Sequence, residues 1–80
     1  MSFPCPCCGY LTFDEEPCGG FEICPVCYWE DDYVQNNDPI YKGGANGISL
    51  NDAKLNYYKY GAIKKEFSKK VRKPLPDELP

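Results

Sequence analysis

The sequence predicts a small metal-stabilised α+β fold: zinc-ribbon-like N-terminal knuckles with a short β-hairpin, followed by two short C-terminal α-helices. Three observations predict it. The chain has 80 residues and six cysteines, a size at which a hydrophobic core alone supplies little stability and a staple is usually needed. Cys5-Pro6-Cys7-Cys8 and Cys24-Pro25-Val26-Cys27 are two Cys-x-x-Cys units separated by fifteen residues. Beyond Ser49 the apolar pattern changes from strand-like alternation to helical spacing.

The knuckles come first. Two Cys-x-x-Cys units at this separation fall within the C-x2-C-x15–20-C-x2-C pattern of zinc sites. Each turn aims two sulfurs at one ion, and two turns complete a closed tetrahedron. The spacing therefore nominates Cys5, Cys8, Cys24 and Cys27 as ligands of one structural zinc ion. Proline after the first cysteine of each unit presets the turn's φ, and Gly9 permits a positive φ just past Cys8. Disulfides are the competing reading of six cysteines. Met1-Ser2-Phe3-Pro4 lacks the charged and apolar regions of an export signal, and no run of residues is apolar enough to span a bilayer. The expected location is cytoplasmic, where thiols stay reduced and clustered cysteines bind metal. Cys7 and Cys18 are left over; the expectation is free thiols, with a redox-responsive pair or an alternative ligand as the sharper reading.

Between the knuckles, Tyr10-Leu11-Thr12-Phe13 alternates in strand fashion, 14–20 is rich in turn residues, and Phe21-Glu22-Ile23 runs back. This predicts an antiparallel hairpin of 10–13 with 21–23. Residues 34–48, with Asn36-Asn37-Asp38-Pro39 and Gly43-Gly44-Ala45-Asn46-Gly47, read as a loop. A helix starts at the N-cap Ser49, carries Leu50, Ala53, Tyr57 and Tyr60 on one stripe, and ends at Gly61. A second is expected over 62–72 from Ile63, Phe67 and Val71, stopped by Pro74, with 74–80 as an extended tail. The whole is one domain, 1–80: a knuckle module (1–33), a loop (34–48), a helical part (49–73) and the tail.

Charge is divided unevenly. Residues 1–41 hold eight acids and no base, whereas 42–80 hold all nine bases and four acids, giving −8 and +5. The basic part either packs on the acidic module or faces an acidic partner. No histidine is present, and the acidic run after Cys27 has no companion nucleophile or second metal site, so enzyme chemistry is not expected. The glycine-rich stretch 43–47 lacks the strand–helix setting of a phosphate loop.

The strings Pro4-Cys5-Pro6-Cys7-Cys8-Gly9-Tyr10, Ile23-Cys24-Pro25-Val26-Cys27-Tyr28-Trp29-Glu30-Asp31-Asp32, Gly43-Gly44-Ala45-Asn46, Ser49-Leu50 and Asn56-Tyr57 resemble the bacterial cysteine-rich CPCC family. The resemblance runs from about residue 3 into the 74–76 segment. It implies a small zinc-ribbon-like protein and a bacterial origin, and it supplies no activity. It also draws attention to Tyr28, Trp29, Glu30, Asp31, Asp32 and Tyr33 as an acidic, aromatic segment.

Function is accordingly expected to be binding. The first reading is a protein-interaction module that meets a protein partner through residues 28–33, with an immunity or antitoxin protein as one version, since acidic surfaces steer toward basic toxins. The alternative is a nucleic-acid-binding zinc ribbon. Eight of the nine bases lie between Lys54 and Lys73, among Tyr57, Tyr58, Tyr60 and Phe67, although an overall pI near 4.8 is far from a basic footprint. A further alternative is an iron electron carrier, since the paired knuckles are similar to those of rubredoxin. Here Tyr28 stands where glycine would follow the second knuckle.

Overall fold

The computed structural model describes residues 2–80. In chain order these form β1 (Phe3–Pro4), β2 (Leu11–Phe13), α1 (Tyr33–Asn37) and α2 (Leu50–Tyr60), then single 3-10 turns at Lys65–Phe67 and Pro76–Glu78. No helix among the described residues is long and apolar enough to cross a membrane.

The strand pairing differs from the expected one. β2 pairs antiparallel with β1, Phe3 opposite Phe13 and Pro4 opposite Leu11 across a bulge, and not with residues 21–23. Each knuckle instead closes on its own flanks. In the first, the Cys5 amide donates to the Tyr10 carbonyl and the Gly9 amide to the Cys5 carbonyl, both at 2.9 Å. In the second, the Cys24 amide donates to the Trp29 carbonyl and the Tyr28 amide to the Cys24 carbonyl, again at 2.9 Å. A bridge between Ile23 and Glu30 extends this second ribbon. Local closure orders fewer residues than joining 10–13 to 21–23 across the 14–20 turn, so its entropic cost is lower. Residues 14–20 form a separate loop, held because the amides of Cys18, Gly19 and Gly20 all donate to Asp31 Oδ2 at 3.1 Å.

Across the start of the segment expected to be a loop lies α1, five residues long, which begins one residue earlier at Tyr33. Asp32 caps it, its Oδ1 accepting from the Gln35 amide at 3.1 Å while Oδ2 accepts from the Ala45 amide at 2.9 Å. The rest of the loop is wound around Gln35, which is fully buried. Its Nε2 donates to the carbonyls of Tyr41 (2.9 Å) and Ile48 (2.7 Å), and its Oε1 accepts from the amide (3.1 Å) and side chain (2.9 Å) of Asn46. Gly44 passes so close that a Cβ there would stand 2.5 Å from Gln35 Cγ and 2.6 Å from Asp32 Oδ2. A fully satisfied buried amide of this kind fixes one loop conformation, because any other leaves polar groups without partners.

α2 matches its expected limits. Ser49 Oγ accepts from the Asp52 amide at 3.1 Å, and Gly61 ends the helix at φ 76°. Leu50 and Ala53 are buried and Tyr57 is half-buried, but the stripe fades toward Tyr60.

The second helix expected over 62–72 does not form. That segment is a strap laid over the second knuckle, helical only in the 3-10 turn at Lys65–Phe67. Its backbone is spoken for elsewhere. The Ile63 amide donates to the Cys27 carbonyl at 2.9 Å, the Ile63 carbonyl accepts from Asn56 Nδ2 at 2.9 Å, and the Arg72 amide donates to the Pro25 carbonyl at 3.1 Å. Burial of Ile63 in one cluster with Cys24, Val26 and Cys27 outweighs the helical period of Ile63, Phe67 and Val71. The tail is not uniformly extended either: its 3-10 turn at Pro76–Glu78 packs against β2. The core is thus Trp29, Ile63, Val26, Leu50, Ala53 and Phe13 gathered around the cysteines.

Candidate metal centre

The four predicted ligands meet. The sulfurs of Cys5, Cys8, Cys24 and Cys27 all lie within 4.8 Å of one another. The Sγ atoms of Cys5 and Cys27 are 3.6 Å apart, and those of Cys8 and Cys24 are 3.7 Å apart. A tetrahedron with metal–sulfur bonds of about 2.3 Å has edges of about 3.8 Å, whereas a disulfide would bring two sulfurs to about 2.0 Å. All six cysteines are free thiols. The arrangement fits a tetrahedral metal ion and does not fit disulfides; Cys5, Cys8, Cys24 and Cys27 would hold the ion.

The donor set has the hydrogen bonds that thiolates need. The Cys7 amide donates to the Cys5 sulfur and the Trp29 amide to the Cys27 sulfur, each at 3.4 Å. Thr12 Oγ1 stands 3.1 Å from the Cys24 sulfur, placed so that its hydroxyl would donate to a thiolate there. Sequence reasoning passed over Thr12. Its one signal was being the polar residue between Leu11 and Phe13 on the strand leaving the first knuckle, which puts its side chain on the face opposite theirs.

Burying four thiols together separates their acidities. The Cys24 thiol is held far below its ordinary range by the neighbouring Cys27, Cys5 and Cys8 thiols, with a smaller contribution from Thr12. The Cys5, Cys8 and Cys27 thiols are pushed far above theirs, chiefly by sharing their protons with Cys24. A divalent ion held by all four sulfurs would favour their deprotonated forms.

Backbone strain marks the second knuckle. Gly9 follows the first knuckle at φ 79°, and its counterpart Tyr28 takes φ 75°. A left-handed conformation costs a residue with a Cβ about 1–2 kcal/mol. Packing offsets that cost, since the Tyr28 ring packs at a tilt against Phe67 with centroids 4.6 Å apart and Lys70 Nζ lies 5.9 Å from its centre. The strap therefore holds in place the residue that departs from the glycine pattern.

The acidic, aromatic segment is largely turned inward. Trp29 is 0% exposed, Asp31 4% and Asp32 9%. Trp29 Nε1 donates to Asn36 Oδ1 at 2.9 Å, and Asn36 Nδ2 donates to Asp31 Oδ1 at 2.6 Å. The Asp32 carboxyl is held below its usual range, first by the Ala45 amide. Tyr28 and Glu30 are half-buried, which leaves Tyr33 as the one fully outward member of residues 28–33. Cys7 is buried beside the cluster and Cys18 is exposed on the 14–20 loop.

The sequence pattern of the family described as Cysteine-rich CPCC matches residues 3–78, nearly the whole chain. The chain belongs to the cysteine-rich CPCC family. None of the curated proteins matches it. In this cysteine-rich CPCC protein the matched stretch takes in both knuckles, the Gln35 loop, α2 and the strap, so the four-cysteine cluster and the elements that bury it lie within one family unit.

Proposed function

We propose that this protein is a structural-zinc module that works by binding and not by catalysis. The observation that carries the reading is closure. Four cysteine sulfurs lie close enough to fill every corner of a tetrahedral ion, in one core with Trp29, Ile63 and Val26, which would leave a metal no open position for water or substrate. A zinc ion there would contribute folding energy, with apparent values of about 10–16 kcal/mol for structural sites. Iron would fit the same sulfur spacing and would supply one-electron chemistry. Elemental analysis of the purified protein separates the two; one zinc per chain is expected, and a red iron protein would replace this reading. Chelation should then abolish the far-ultraviolet circular dichroism and the cooperative thermal transition. A fold that survives metal removal unchanged would sink the structural role.

We look for the binding surface elsewhere than in residues 28–33. Residues 28–33 spend Trp29, Asp31 and Asp32 on internal hydrogen bonds, so their acidity supports the fold more than it supports docking to a basic protein. The basic residues are the freer group. Among the described residues the one ion pair is between Arg72 and Glu78, both in the C-terminal half. Among the described residues no N-terminal acid makes a close ion pair with the lysines of α2 and the strap, which supports an anionic partner over internal charge matching.

A further inference from the structure

Between the C-terminal end of α2 and the strap runs a groove of about 330 Å³. Val26 of the second knuckle lies at its floor, Tyr57 and Tyr60 line it from α2, and Arg72 and Lys73 line it from the strap. At Ser68 it meets a second, shallower depression formed with Lys65, Glu66 and Lys69. Lys65, Lys69 and Lys73 are exposed, and no carboxylate pairs with them among the described residues.

Arg72 is held ready for an anion. Its Nη1 and Nη2 donate to the two oxygens of Glu78 at 2.8 and 2.9 Å, a two-pronged fork on a carboxylate. The backbone behind it is fixed, because the Arg72 amide donates to the Pro25 carbonyl. A guanidinium fork of this geometry takes phosphate as readily as carboxylate. The tail's carboxylate marks where an incoming phosphate oxygen pair would sit.

We propose that this groove receives one nucleotide of a single-stranded nucleic acid. The base rests against Tyr57 and Tyr60, its phosphate displaces Glu78 from Arg72, and the next phosphate passes Ser68 toward Lys65 and Lys69. Tyrosine surface and cations side by side are what sequence-tolerant single-strand binding requires. An acidic peptide would use the cations and leave the tyrosines without a role. The groove volume is at the lower end of ligand sites, about 300–1,000 Å³, which suits a single nucleotide unit. The inference rests on the binding-module reading and gives it a ligand class. It also gives the tail a role: Glu78 is an internal competitor that the strand must displace.

The test is fluorescence anisotropy of a labelled short oligothymidylate with the full-length, metal-loaded chain at low and at physiological salt. Binding should weaken with salt, and Arg72→Gln should both lower affinity and flatten the salt slope by about 0.7 for the one lost phosphate contact. Tyr60→Ala should weaken binding about fivefold or more through lost stacking. Glu78→Gln should tighten it, by up to about fivefold, the reach of an exposed ion pair. No salt-dependent binding, or equal affinity in the wild type, Arg72→Gln and Tyr60→Ala proteins, overturns the proposal. Displacement of the oligonucleotide by a charge-matched glutamate peptide as effectively as by unlabelled strand overturns it in favour of an acidic protein. Competition by thymidine monophosphate as strong as by the strand assigns the groove to a free nucleotide and overturns the strand. Metal content and circular dichroism are measured on each sample. An intact metal-loaded fold that ignores the strand removes the groove alone, whereas a fold indifferent to metal removes the reading beneath it.

Discussion

Replacing Thr12 with valine keeps the β-branched shape of the side chain and deletes only its hydroxyl. That hydroxyl lies 3.1 Å from the Cys24 sulfur, and Cys24 is the thiol whose charge the surroundings favour most. Hydrogen bonds to charged groups contribute about 1.5–3 kcal/mol when buried. Thr12 is half-buried, so the lower end applies, and about 1.4 kcal/mol corresponds to roughly tenfold in an equilibrium constant. That agrees with the low end of the 10–100-fold losses seen when a partner of a metal ligand is removed. Thr12→Val should therefore weaken zinc binding about tenfold, measured by competition with a chromogenic chelator at neutral pH. Thr12→Ser, which restores the hydroxyl, should recover most of the affinity. The metal-saturated circular dichroism of all three proteins should coincide, since the swap changes little else. A valine variant within twofold of the wild type, or a serine variant no better than valine, would refute the role given to this hydrogen bond.

Three other outcomes follow from the geometry. Gly44→Ala should lower stability by about 1–3 kcal/mol or more, read from the thermal midpoint, because its Cβ would lie 2.5 Å from Gln35 Cγ; an unchanged midpoint would mean that the Gln35 loop yields freely. Tyr28→Ala should be less stable than Tyr28→Gly by about 1–2 kcal/mol, since both lose the contact with Phe67 but only alanine keeps the left-handed strain; parity of the two in denaturant titrations would contradict that account. Glu78 has its carboxyl held down to about 2 from an ordinary 4.5, first by Arg72 and then by the Leu75 amide. Its stabilising contribution is thus complete above pH 4.5 and is lost as pH falls toward 2. Its side-chain carbon resonance should stay flat from neutral pH down through 4.5 and below, and Arg72→Gln should move its titration up toward 4.5 while the Leu75 amide still holds it lower.

The gathering of Cys5, Cys8, Cys24 and Cys27 was legible because a Cys-x-x-Cys turn is a local object, in which spacing fixes where both sulfurs point. α2 was legible for a similar reason, with Ser49 and Gly61 supplying its ends from within a few residues. The misreadings concern places where a distant partner decides. The strap has a helical apolar period, yet Cys27 and Pro25 take the amides of Ile63 and Arg72. Residues 21–23 have strand character, yet their register is set by Glu30 and Asp31, which leaves β2 to pair with β1. α1 and its loop depend on Gln35 and Asn46, polar residues whose burial no periodicity announces. Asp31 and Asp32 looked like surface charge because a carboxylate that gathers backbone amides has the same sequence appearance as one that faces water.

Trp29 is the chain's one tryptophan. Its amide donates to the Cys27 sulfur and its indole N–H to Asn36, with no exposure to solvent. A fluorophore so placed reports directly on the cluster. With metal bound its emission should be that of a dry, rigid indole. When the ion is stripped and the knuckles part, emission should shift to the red as water reaches the ring. Metal loss, refolding on zinc addition and the kinetics of each can then be followed in the native chain without any label.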